Sequence, residues 1–398
     1  MAASGGADPE VLDAPRGRRE RRAALVPLIL ATMASQALLV VLAPTMVDAG
    51  RSFEASVGAV GQARSIAAAA AIAFAALVPA ILARGGLRAL LATGIALAVT
   101  GMSAAAAAPA LGFYLAAHVL VGAGVSALLS AGFAGVAALP AADRAAAMGY
   151  VASANALAWI VANPIIGVLT DAISWRAAQL VPAAIALAAL AALPRIVPLA
   201  EPAAGAGVWR LITGDRPARR WAGAEMLAYC AWAGALLTFV GAYFIEEHGV
   251  SESATGVMLA LGAGAYVIAA ARSGALLARF PREPLMRVAA LAMSVLLVGL
   301  FAFGSSVWPS FALFCLVALL AGVRTPASAG LGLAQLPDQP GLMMALRTAM
   351  TQLGYLLGAV ASGLVLAASD FEVLGPILAV VMVASAWVMS GVPDPDAR

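Results

Sequence analysis

The chain has 398 residues, of which 63% are hydrophobic and only 11% charged, whereas soluble domains carry about 25% charged residues. With a mean hydropathy of +0.97, the composition excludes an ordinary soluble globular protein and points to a polytopic, all-α membrane protein whose partner is the lipid bilayer. The formal charge of +3 would suit an acidic partner, but the bases fall in short loops on one side of the predicted spans, so no nucleic acid is expected.

Residues 1–22 read as a disordered cytoplasmic tail ending in an Arg cluster (Arg16, Arg18, Arg19, Arg21, Arg22). The apolar run after it, 23–47, is too long for a signal-peptide core and is expected to remain as the first transmembrane helix. Further apolar segments follow at 57–83, 87–108, 111–139, 145–170, 176–198, 221–245, 255–278, 285–304, 308–336, 343–368 and 372–392. Each is long enough to cross a hydrocarbon core, which takes about 20 helical residues, and together they make twelve spans. Cys230 and Cys315 both fall inside apolar segments and are expected as free thiols; neither spacing suggests a metal site.

With the N-terminus inside, the cytoplasmic loops hold the Arg cluster together with Arg84, Arg88, Arg144, Arg195, Arg210, Arg216, Arg219, Arg220, Arg279, Arg282, Arg287 and Arg398. The outer loops hold only Arg51 and Arg176, and are otherwise acidic. This positive-inside bias is expected to place both termini in the cytoplasm, and the expected location is the plasma membrane. The polar connection 199–220 divides the chain into an N-terminal six-helix bundle, 23–198, and a C-terminal one, 221–392, with a cytoplasmic tail at 393–398. A weak repeat supports the division: Leu120, Gly122 and Gly124 are echoed by Leu320, Gly322 and Arg324, Leu139-Pro140 by Leu336-Pro337, and Pro164 with Gly167 by Tyr355 with Gly358.

The fifth predicted helix carries Asn155, Asn163, a helix-interior Pro164 and Gly167, then stops at Asp171, Ser174, Trp175 and Arg176. Pro164 frees a carbonyl one turn earlier and Gly167 admits a neighbouring backbone, so this face is expected against protein. Asn163-Pro164 with Gly167, followed by Leu169-Thr170-Asp171 and Ser174-Trp175-Arg176, resembles the fifth-helix region of the major facilitator superfamily, in the branch of twelve-helix drug:proton antiporters. Asn163 and Val168 stand where that branch's motif has Gly. Arg84-Gly85-Gly86-Leu87-Arg88 resembles the superfamily's cytoplasmic signature, with Ala83 in place of its Asp. His118, Gly122 and Gly124 resemble an Arg-Gly-Gly motif on the fourth helix, with His in the Arg position. The resemblance covers about 23–392. It implies the major facilitator fold, two pseudo-symmetric six-helix bundles around a central cavity lined by helices one, four, seven and ten with neighbours from two, five, eight and eleven.

Ionisable groups within spans are costly and need a reason. Arg64 lies about seven residues into the second span, roughly 10 Å below its boundary at 1.5 Å per residue; it serves either a cavity or an outer ion pair with Asp48 or Glu54. His118 either titrates against cavity water, as its ordinary pKa near 6.5 permits, or is a neutral His bonded to a helix carbonyl. Glu225, Arg272, Arg324 and Arg347 fall near the cytoplasmic ends of their helices, where anchoring or a salt-bridge gate is the simplest role. The cavity candidates are Gln36, Arg64, His118, Asn155, Trp159, Tyr229, Trp232, Tyr266, Arg324 and Tyr355. His118 and Glu225 are the proton-coupling candidates, Arg84, Arg88, Glu225, Arg272, Arg324 and Arg347 the gate candidates, and Gly122, Gly124, Pro164 and Gly167 the helix-packing positions.

The expected function is secondary transport of a small-molecule substrate by alternating access in a monomer without cofactors, as proton-coupled efflux of an amphipathic or drug-like compound. The alternative is uptake or efflux of an organic anion drawn by Arg64 and Arg324; a non-transporting sensor or scaffold is more remote. No phosphate-binding Gly-rich loop with Lys and no His-Glu-x-x-His is present, which argues against nucleotide energisation and against a membrane enzyme.

Overall fold

The computed structural model describes residues 18–193 and 214–395, apart from 138, 140, 303–305, 337 and 339. The tail expected at 1–22 and the connection expected at 199–220 lie largely outside the described residues. Among the described residues all regular structure is helical. Among the same residues eleven helices are long and apolar enough to cross a membrane, and twelve spans result when the bent pair at the start counts as one.

Proline shapes the breaks. The first span is a helix Arg18–Val40 that bends by 41° into Leu42–Phe53, and the break falls where the ring of Pro44 meets the carbonyl four residues back, that of Val40. The same offset recurs in the second span, Val57–Ala75, which stops four residues before Pro79. It recurs again between Trp175–Ala178 and Leu180–Ala192, the sixth span, with Pro182 four residues after Ala178. The helix Val78–Ala106 contains a kink at Gly86, with φ 66° and ψ −168°, a region essentially confined to glycine. There the end of the second span passes into the third.

The fourth and fifth spans are Leu111–Ala137 and Ala141–Ala172. The seventh starts at Arg216, five residues earlier than its hydropathy predicts, because the Asp215 carboxylate accepts from the Ala218 N–H at 2.7 Å and Pro217 fits the first turn. It runs Arg216–Tyr229, then a π-helical stretch Cys230–Leu236, then Leu237–Glu246. The eighth to twelfth spans are Glu252–Leu277, Arg282–Ala302, Val307–Gln335, Pro340–Ala368 and Phe371–Met389.

Buried apolar residues form three clusters. One holds Leu28, Leu38, Leu90, Met102, Leu128 and Ile166, all from the first six spans. Another holds Trp221, Met286, Leu331, Leu346 and Met389, all from the last six. The largest joins the halves: Leu42, Met46, Val57 and Tyr114 from the first with Phe239, Phe244, Phe301 and Phe371 from the second. Its members sit toward the ends that carry residues 54–56, 173–174 and 247–251, called here the distal face. There Ser253 Oγ donates to Asp171 Oδ2 at 2.7 Å, and Trp175 Nε1 donates to Ser52 Oγ at 2.8 Å. Apolar contact between the halves is thus concentrated on one side of the molecule.

Small residues set that closure. A Cβ on Gly167 would run into the Glu252 carbonyl and one on Gly256 into that of Asn163, across the fifth and eighth spans. Gly58 and Gly363 meet in the same way across the second and eleventh. Gly122 lies against the Ala67 carbonyl in the first half and Gly322 against that of Tyr266 in the second, a pseudo-symmetric pair. Gly124 packs on Ala98, and Pro164 is accommodated inside its helix beside Gly256. Cys230 and Cys315 are free thiols.

Candidate functional site, a cavity between the halves

Between the halves lies a cavity of about 350 Å³. Gln36, Asn155 and Trp159 from the first half, and Tyr229, Trp232, Tyr266 and Tyr355 from the second, line it together with Phe133, Leu259, Phe314, Thr325 and Arg347. The wall is ordered by polar contacts within each half. Trp159 Nε1 donates to Gln36 Oε1 at 3.3 Å, and Asn163 Nδ2 donates to the Trp159 carbonyl at 2.8 Å. The Trp232 and Tyr266 rings are near parallel at 11° with centroids 6.4 Å apart, and Tyr229 meets Tyr355 edge-on at 5.8 Å. Trp232 belongs to the π-helical stretch, a local widening frequent at functional sites.

Charge enters through one corner. Glu225 is fully buried; its Oε1 lies 2.7 Å from Arg324 Nη2 and its Oε2 3.2 Å from Arg347 Nε. The Arg347 side chain stays 19% exposed, against 5% for Arg324 and 0% for Glu225, so only Arg347 reaches the cavity. Its Nη2 donates to the Tyr229 hydroxyl at 3.2 Å. On the other side of Tyr355, the Arg64 guanidinium lies 4.3 Å from the ring centroid, a cation–π contact between the halves, and its Nη1 donates to the Leu39 carbonyl at 3.3 Å.

Several expected site residues lie elsewhere. His118 is buried with Nδ1 2.8 Å from the Tyr114 carbonyl and its ring 4.5 Å from that of Tyr114, and it is not among the lining residues. Arg64 and Arg324 sit behind the wall. Arg84, Arg88 and Arg272 are exposed and apart from the Glu225 cluster. Glu225, Arg324 and Arg347 all belong to the second half, so their ion pairs cannot hold the two halves shut: the expected gate is a cluster within one bundle. Arg64 pairs with neither Asp48 nor Glu54; Arg51 takes Asp48, at 2.9 Å. Lining residues that sequence reasoning did not name, among them Phe133, Leu259, Phe314 and Thr325, lie on helices apolar on nearly every face, where composition does not mark the inward side.

A model of the Major Facilitator Superfamily matches residues 28–319 and 221–398. The chain belongs to the Major Facilitator Superfamily. Superfamily members are carriers, not enzymes. Solved structures agree on the fold. The nucleoside transporter NupG superposes with a TM-score of 0.78 at 11% identity over 94% of this chain and 99% of that one. The D-xylose-proton symporter gives 0.78 at 14% over 95% and 99%. A partially occluded inward-open conformation of the xylose transporter XylE from E. coli gives 0.75 at 13% over 95% and 99%. No curated protein matches by sequence. These neighbours share the fold, and none of the three is described as a drug:proton antiporter.

Proposed function

We propose that the chain is a secondary carrier of a small organic solute, that the cavity between its halves is the solute site, and that access alternates by rocking one half against the other. The observation that carries this reading is the one-sided joining of the halves: a shared core and paired glycine contacts on the distal side, and separate cores elsewhere. Two packed bodies with a midplane cavity and a separable closure are what alternating access requires. The aromatic wall supports an amphipathic solute. Among the described residues no Asp, Glu or His lines the cavity, so the reading favours solute flux without a titrating side chain in the site itself. His118, off the wall and bonded to its own helix, is not the coupling group in this reading.

Cysteines replacing Asp171 and Ser253, in a background with Cys230 and Cys315 changed to Ala, test the mechanism without a known solute. Their side chains now touch across the halves at 2.7 Å. Cross-linking them is expected to leave a third cysteine at Tyr266 reactive from one side of the membrane only, and reduction to restore reaction from both. Labelling from both sides in the cross-linked protein would remove alternating access by separation of this face.

A further inference from the structure

The charges around the cavity do not balance. Arg347 is the one charged side chain among the described lining residues. It shares Glu225 with Arg324, so the cluster holds two guanidiniums on one carboxylate. Arg64, behind Tyr355, is buried against the Leu39 carbonyl and the ring and hydroxyl of Tyr355, with no carboxylate beside it, and its Nε has no hydrogen-bond partner. Among the described residues two buried guanidiniums and one half-buried one thus face a single carboxylate, and in a poorly screened interior an unmatched charge is expensive and attracts its opposite. On the facing wall Asn155 Oδ1 is buried without a partner, an unmet acceptor whose amide can also turn its N–H groups inward. Between these polar points the surface is aromatic: Trp159, Trp232, Tyr266 and Phe314.

We infer that the cavity selects a planar, apolar organic anion, whose carboxylate or equivalent group meets Arg347 while its ring lies on the aromatic wall and an N–H or O–H on the ring reaches Asn155. The anion reduces the positive surplus from two charges to one; a cation of the same shape adds to it, and a neutral analogue leaves it. The volume of about 350 Å³ suits a one- or two-ring solute. This inference rests on the reading of the cavity as the solute site.

A matched triplet of one shape and three charges tests it: indole-3-acetate, indole-3-acetamide and tryptamine, each titrated against the purified full-length protein by thermal melting. The acetate is expected to bind about tenfold or more tightly than the acetamide, with tryptamine weakest. Arg347→Gln should bring acetate and acetamide together, whereas Arg347→Lys, which keeps the charge, should retain acetate above tryptamine. Arg64→Gln leaves the Glu225 cluster intact and should narrow the acetate preference severalfold. Equal or tighter binding of tryptamine or the acetamide, binding of none of the three, or an acetate preference unchanged in both Gln variants would overturn the inference. Failure here with alternating accessibility intact removes only the anion preference; a cavity whose accessibility never alternates removes the transport reading, whichever probe binds.

Discussion

The buried Glu225 shows how a single carboxylate organises its surroundings. Removing its charge leaves Arg324, 5% exposed, without an anion in a low-dielectric site, and breaking a buried pair from one side costs about 3–5 kcal/mol. Glu225→Gln is therefore expected to lower stability by about 3 kcal/mol or more, read as a large fall in melting temperature in detergent. Glu225→Met combined with Arg324→Met removes both charges of the closest pair and should recover the part of that loss due to Arg324, while Arg347, 19% exposed, keeps its opening to the cavity. An unchanged melting temperature for Glu225→Gln would mean that the pair is not formed in the membrane protein. The sequence made Glu225, Arg324 and Arg347 visible as the rare charges within spans, but not their arrangement. A gate across the halves needs opposite charges on different bundles, and these three meet within one. His118 teaches the same point: its position on the chain fits a coupling role, and its side chain turns back to the Tyr114 carbonyl.

Helices and their ends were more legible than their faces. Spans are marked by long apolar runs, and the start of the seventh by an acid followed by Pro217, a signal that hydropathy alone passes over. The breaks at Val40, Ala75 and Ala178 were not expected, although each falls four residues ahead of a proline, Pro44, Pro79 and Pro182. Pro164, Pro326 and Pro376 sit inside unbroken helices, so proline alone does not decide where a break falls. Helix rotation was not legible, because Ala-rich helices apolar all round carry little periodic signal. That is why Gln36, Asn155, Trp159 and the tyrosines were picked out by their polarity and Phe133 and Phe314 were not. At this scale the closest approaches are the glycine contacts of the distal closure. Gly256→Val would press a branched side chain on the Asn163 carbonyl and is expected to open that face. A cysteine at Asn155 should then react faster with a reagent added on the distal side. A folded Gly256→Val protein with unaltered labelling would show that this contact does not hold the closure.

For the whole molecule, the arginines carry an expectation of which side the closed face turns to. Arg84, Arg88, Arg216, Arg219, Arg220, Arg279, Arg282 and Arg287 lie in or beside connections on the side opposite the distal face. The distal face has Arg51 and Arg176, and both are engaged: Arg51 with Asp48 at 2.9 Å and Glu252 at 3.9 Å, Arg176 with the carbonyls of Ala106 and Ala108 at 2.9 and 2.8 Å. By the positive-inside rule the side whose short connections are richer in arginine faces the cytoplasm. The distal face is accordingly expected outside, which makes the present arrangement an inward-facing state with its outer closure made. Cysteines at Ile173 and Phe280, both well exposed in connections on opposite faces, report this directly once Cys230 and Cys315 are replaced by Ala. In intact cells a membrane-impermeant maleimide should label the cysteine at Ile173 and reach the one at Phe280 only after permeabilisation. The reverse pattern would invert the orientation and turn the same closed face toward the cytoplasm, so that the cavity would then be filled from outside.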